Sequence, residues 1–393
     1  MISPRPSPMV KPNGDDGSDI SDLDFTMDSD DSDGSEDGGA ITATRSRSAV
    51  SPLAARSKKP GHQSKADVRQ IVSEISKACK KKDLYDPVFL ETLPRQSHEQ
   101  LQHIRELYRD TFPAGKSGKG INFTKHIKAT FGTKEPYAKA LWYLSLGMWE
   151  SEANWANTFY QDSASKNELV IEALAGRSNY EIRQIKDAFL DNKYANSLEN
   201  CIYAEFPSTK FKKAVLIILE GERDPEHMEV RSSSIRRDVE IIHKIVTSKD
   251  TRNTGETELY NSILKRSDKF LKELQRQYQM SYGKRLDEAI LARSNNLVGE
   301  LLAHMLVGVR DATTRDARLL HAALKTHSTD LMISRFIRVH WDQEHMEDVK
   351  EAYERMYDEQ LAMAVAKDKT LQSKVPELGE CFCQMIKYRK PSK

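Results

Sequence analysis

Residues Glu168–Phe189, "ELVIEALAGRSNYEIRQIKDAF", hold two apolar stripes at helical spacing. Val170, Ile171 and Leu174 share one face of a first helix, and Ile182, Ile185 and Phe189 share one face of a second. The pattern breaks between them at Gly176-Arg177-Ser178-Asn179. Two short helices joined by a hinge cannot bury both stripes by themselves. Their partners must come from elsewhere in the chain.

The partners are repeats of the same pattern. Leu174, Ile182, Ile185 and Phe189 are spaced 8, 3 and 4 apart. Leu93, Leu101, Ile104 and Tyr108 repeat that spacing upstream, and Ile263, Leu271, Leu274 and Tyr278 repeat it downstream. Ile337, Met346, Val349 and Tyr353 give a fourth copy with one extra residue at the hinge. A pair one helical turn apart follows each copy: Phe123 and Ile127, Leu198 and Ile202, Leu286 and Ile290, Leu361 and Val365. An apolar helix closes each unit, as in "KKAVLIILEG" and "GELLAHMLVG", and another opens it, as in "RRDVEIIHKIV". The chain therefore reads as four units of about five helices, at residues 65–148, 149–222, 234–310 and 312–389, with the period of a repeat protein. No stretch alternates with the period of two that a sheet requires, so the expected class is all-α.

Composition bounds the rest. Charged residues make up 30% of the 393, net charge is +1, and mean hydropathy is −0.65. The longest apolar run, "AVLIIL" from Ala214 to Leu219, is too short to span a bilayer. The N-terminal "MISPRPSPMV" has no apolar segment of the secretory kind. Cys79, Cys201, Cys381 and Cys383 are too few and too scattered for a disulfide framework and read as reduced cytoplasmic thiols. Residues 1–66 carry eight Lys and Arg against eleven Asp and Glu, all the acids lying between Asp15 and Asp37; the remainder carries 52 against 48. Residues 1–64 are thus expected to be a disordered acidic, Ser-rich tail. Ser3, Ser7 and Ser51, each before a proline, and Ser21, with Asp24 three residues on, are candidate phosphorylation sites within it.

The fourfold five-helix repeat, and "IEALAGRSNYEIRQIKDAF" most specifically, resembles the annexin family over roughly residues 67 to 389. The longer connection "GERDPEHMEVRSSSI" between units two and three and the variable N-terminal extension also resemble that family. The resemblance implies a curved all-α disc. It implies a convex face made of the loops between first and second helices and between fourth and fifth, turned to a phospholipid bilayer. It further implies calcium bridging those loops to lipid phosphates, through a Gly-x-Gly-Thr turn and a carboxylate about 40 residues later.

The loops depart from that pattern. They read Lys81-Lys82-Asp83-Leu84, Asp162-Ser163-Ala164-Ser165, Thr251-Arg252-Asn253-Thr254 and Lys325-Thr326-His327-Ser328, without the motif glycines. Lys210 and Asn296 stand where units two and three would carry the distal carboxylate; Pro136, beside Glu135, stands there in unit one, and Asp368 is near that place in unit four. No calcium ligand carries over, and Asp83, Asp86, Glu135 and Asp162 offer only a looser oxygen set. Cations are plentiful at the same loops: Lys80, Lys81, Lys82 and Lys134 in unit one, Lys210, Lys212 and Lys213 in unit two, Lys249, Arg252 and Arg293 in unit three, and Lys325 in unit four. The expected partner is an anionic phospholipid membrane surface, met from the cytoplasm, with calcium bound weakly or not required and the tail available to a protein partner. The other reading is a helical interaction scaffold that has lost both lipid and calcium.

Other motifs dissolve on inspection. "FPAGKSGKG" lacks the glycine five residues before Gly-Lys that a phosphate loop needs, that place being Asp110, and reads as a surface insertion. The histidines of "HWDQEH", His340 and His345, are five apart rather than at metalloprotease spacing and are expected at the surface. Cys381 and Cys383 lack metal-type spacing; Trp142 reads as packing, whereas Trp149 and Trp155 are expected to be partly exposed. No catalytic constellation supports an enzyme, and no strongly basic patch supports nucleic-acid binding.

Overall fold

The computed structural model describes residues 65–114, 119–157, 164–249 and 255–387. The tail at 1–64 and its serines lie outside them, as do Asp162, Arg252 and most of the glycine-lysine insertion. Unit one runs α1 (Lys65–Lys81), a π turn (Val88–Thr92), a 3-10 turn (Leu93–Arg95), α2 (His98–Thr111), α3 (Phe123–Phe131) and α4 (Pro136–Leu146). Unit two is α5 (Met148–Ala156), α6 (Ala164–Leu174), α7 (Asn179–Asp187), α8 (Leu198–Glu205) and α9 (Lys210–Leu219). Unit three is α10 (Ser232–Thr247), α11 (Glu256–Ile263), α12 (Asp268–Tyr282), α13 (Leu286–Arg293) and the first part of α14 (Leu297–Thr326). Unit four takes the second part of α14, then α15 (Thr329–His340), α16 (Gln343–Tyr357), α17 (Leu361–Lys367), α18 (Lys369–Ser373) and α19 (Pro376–Lys387).

The hinge between Leu174 and Asn179 is a helix start. Ser178 accepts from the Glu181 N–H while the Glu181 side chain accepts from the Ser178 N–H, so α7 begins on a capping box. Ser97 does the same with Gln100 for α2. Ser267 caps α12 and Asp342 caps α16. Each cap satisfies backbone donors that a helix leaves open, at about 1 kcal/mol per cap. Gly176, with φ +79°, supplies the left-handed turn before the hinge, where a side chain would be strained.

The repeated apolar residues form the core. The four spaced residues of every unit, and the pairs that follow them, are all at most 4% exposed. Burial of each such side chain stabilises by about 1.5–3 kcal/mol. The second helix of unit one is irregular because Pro94 cannot donate a backbone hydrogen bond, so the segment divides into π and 3-10 turns. Within α14, Asp311 leaves helical geometry at φ −158° and its carboxylate accepts from the Thr314 N–H, restarting the helix for unit four. Two-residue strands, Pro113–Ala114 and Lys119–Gly120, flank the insertion of unit one. No helix among the described residues is long and apolar enough to cross a membrane.

Three sequence expectations are corrected. Trp155 is 1% exposed, because the Arg338 guanidinium lies 4.8 Å over its ring and Tyr143 packs beside it. His340 is wholly buried and donates through Nε2 to the Gln96 carbonyl at 3.0 Å; burial lowers its pKa to about 4, so it is neutral. His345 is not at the surface either, but sits 2.7 Å from Asp316.

Candidate functional site

In units one, three and four the loops that open and close the unit meet in space. In unit one the Tyr85 ring stacks on Tyr137, at the start of α4, with centroids 6.2 Å apart and planes 16° apart. In unit three Glu256, first residue of α11, receives Asn296 Nδ2 at 2.5 Å and Ser294 Oγ at 2.9 Å from the turn before α14. In unit four His327 Nδ1 lies 3.0 Å from Asp368, the cap of α18. The loop pair of unit two falls partly outside the described residues.

The turns are built without the motif glycines. After α1 the left-handed position is taken by Lys82 (φ +54°), and after the second part of α14 by His327 (φ +53°). Glycine is usual at such a helix end, and a side chain there costs about 1–2 kcal/mol. In unit three a glycine does supply the positive φ, but it is Gly255 (φ +67°), just past the aligned tetrapeptide. A Cβ on it would come within 2.3 Å of the Ile245 side chain.

The carboxylates near these turns are engaged. Asp83 accepts from the Tyr85 N–H and Asp86 from the Val88 N–H. Glu135 accepts from the Tyr137 and Ala138 N–H groups, capping α4. Asp368 accepts from the Thr370 and Leu371 N–H groups besides facing His327. Glu256 is 5% exposed and holds the Lys210 ammonium at 2.8 Å, which joins unit two to unit three. Among the described residues no three His, Cys, Asp or Glu side chains are placed to hold a metal ion.

The basic residues divide into two kinds. Lys80, Lys81, Lys82 and Lys134 are exposed, as are Lys213, Lys249 and Lys325. Lys210 belongs to Glu256, and Lys212 donates to the Tyr203 and Phe206 carbonyls beneath the Tyr203 ring. Arg293 is only half exposed and already has a partner. No local pattern signals these ties, since the partners lie 46 residues apart for Lys210 and Glu256 and 41 apart for His327 and Asp368.

A second polar assembly lies where units two and four meet. Arg338, on α15, forks onto Glu152 at 2.8 and 2.9 Å and reaches Glu172 at 3.0 Å. Arg335 holds Glu172 at 2.5 Å, and Arg177 holds Glu152 at 2.7 Å. These groups line a cavity of about 370 Å³ with His304, Arg315, Asp316 and His345. Burial and the neighbouring Arg315 charge push His304 well below the ordinary histidine range. Burial would raise the Asp316 carboxyl, but Arg315 and His345 outweigh it and hold it well below the carboxylate range.

Comparison with known proteins gives one consistent result. No family model matches the chain. It is 25% identical over 309 residues to annexin C1 of Cryptococcus neoformans var. grubii, covering 77% of this chain and 63% of that one, less than two thirds of the relative's length. It is likewise 25% identical over 309 residues to annexin A13 of Canis lupus familiaris, there covering 91% of the relative. In fold it superposes on a structure of annexin A8 with a TM-score of 0.69 at 17% identity, over 84% of this chain and 97% of that one.

Proposed function

We propose that this chain, similar to annexins in sequence and fold, docks peripherally on anionic phospholipid surfaces through exposed lysines rather than through bound calcium. The observation that carries this reading is the state of the loop carboxylates. Calcium takes six to eight oxygens. Here Glu135 and Asp368 are spent on backbone N–H groups, and Glu256 on Lys210, Asn296 and Ser294. The donor set therefore does not fit the ion that the family's mechanism would use.

Positive charge is supplied by side chains instead. Lys80, Lys81, Lys82, Lys134, Lys213, Lys249 and Lys325 stand exposed at the same loops. A lysine close to an anionic leaflet contributes about 1 kcal/mol, so several together support metal-free, reversible docking. The acidic stretch between Asp15 and Asp37 has the charge to compete for that face, and added phosphate would strengthen the competition.

Cosedimentation with phosphatidylserine vesicles tests the reading. Binding is expected to persist in chelator, to fall steeply as salt rises, and to increase when residues 1–64 are removed. Binding that appears only with calcium would refute the lysine mechanism. A chain that stays in the supernatant under every condition would favour a helical interaction scaffold instead.

A further inference from the structure

We propose that unit one is the foot of the molecule: Tyr85 seats in the interface of a phosphatidylserine-containing bilayer, with the exposed Lys80, Lys81, Lys82 and Lys134 of the same unit supplying the charge. The inference rests on the membrane-docking reading above and assigns its contact to one quarter of the repeat.

Charge is segregated by unit. Residues 65–148 hold fifteen Lys and Arg against nine Asp and Glu, a net +6. Residues 149–222 hold eight against twelve, net −4, and residues 312–389 hold twelve against thirteen, net −1. Residues 234–310 reach +4 with fourteen against ten. Three of its basic residues are engaged inside the unit, Arg266 on Asp238 and both Arg285 and Arg310 on Asp287. The four lysines of unit one have no ion-pair partner among the described residues. The acids beside them, Asp83, Asp86 and Glu135, direct their oxygens to backbone N–H groups.

An apolar tip stands among these charges. Of the large exposed apolar side chains, Tyr85 (50% exposed) is the one that lies in an opening or closing loop of a unit among the described residues. Its backbone N–H is held by Asp83, and its ring rests on the fully buried Tyr137. It is thus presented in a fixed pose and gives up little freedom on contact. A tyrosine with an apolar body and a polar tip suits the depth of lipid headgroups, where aromatic side chains concentrate. Lysines around it add attraction for an anionic leaflet, and binding scales with both terms.

The test uses the full chain, phosphatidylcholine vesicles with and without phosphatidylserine, and chelator throughout. One lysine near an anionic surface is worth about fivefold in affinity, so K81Q/K82Q is expected to weaken binding about 25-fold. K269Q/K284Q, at exposed lysines on α12 and in the turn after it, away from the opening and closing loops, is expected to change it less than about threefold. All four positions are exposed, so melting temperature should match the parent. Tyr85→Trp is expected to show a blue-shifted emission on serine-containing vesicles and no shift on phosphatidylcholine alone. Equal losses from the two double variants, an unshifted Tyr85→Trp emission on bound protein, or equal binding to both vesicle types would overturn the inference while leaving peripheral docking intact. Wild-type protein that fails to sediment in chelator overturns the docking reading and this inference together.

Discussion

Replacing Arg338 by methionine should destabilise the junction of units two and four by about 3 kcal/mol. The guanidinium is 14% exposed, makes three hydrogen bonds of 2.8–3.0 Å to Glu152 and Glu172, and covers the Trp155 ring. Removing one member of a buried ion pair typically costs about 3–5 kcal/mol, because the partner charge is left without compensation. The low end applies here: Glu152 keeps Arg177 at 2.7 Å and Glu172 keeps Arg335 at 2.5 Å. Unfolding entropy of about 2.1 cal/mol/K per residue, over roughly 320 residues, is about 0.7 kcal/mol/K, so the melting temperature should drop by about 4–5 °C. Calorimetry at neutral pH reads this directly. Adding Glu152→Gln should then cost less than it does alone, with a coupling of about 1–3 kcal/mol. A melting temperature within 1 °C of the parent, or strictly additive effects, would show that the network contributes neither stability nor coupling.

Three further outcomes follow from other groups. Burial would lower His345, yet the hydrogen bond and charge of Asp316 leave it raised above its ordinary 6.5; the pair's contribution is complete below that value and is lost as pH climbs through the higher folded-state value. His345→Gln should therefore destabilise more at pH 6 than at pH 9, and urea unfolding showing the reverse order would contradict the pairing. Burial pushes the thiols of Cys79 and Cys201 up to about 11 and that of Cys381 to about 12, so a thiol reagent at pH 8 should reach half-buried Cys383 first; prior labelling of Cys381, read by peptide mapping, would speak against the packing. Asp368→Ala removes two backbone caps and the His327 contact and should cost about 1–2 kcal/mol. If micromolar calcium raises the melting temperature of the parent but not of this variant, Asp368 is a metal ligand and the account of the loops fails.

The amino-acid order carried the architecture, because a helix repeats every 3.6 residues and a stripe such as Ile182, Ile185 and Phe189 leaves that period in the letters. Fourfold recurrence gave the number of units, and the residues that recur are the ones buried to 4% exposure or less. Missing glycines were equally legible, since Lys82 and His327 are plainly not glycine. Which charges remain available was not. Lys210 looks as free as Lys213 in "STKFKK" until α11 delivers Glu256 to 2.8 Å of it. His340 and His345 sit amid polar letters, yet one is buried on Gln96 and the other on Asp316. Trp155 appeared to flank an open junction until α15 laid Arg338 over it. Local periodicity acts within one helix and survives in sequence. The pairing of a charge is decided by whichever side chain another unit brings within about 3 Å, and that distance exists only once the units have packed.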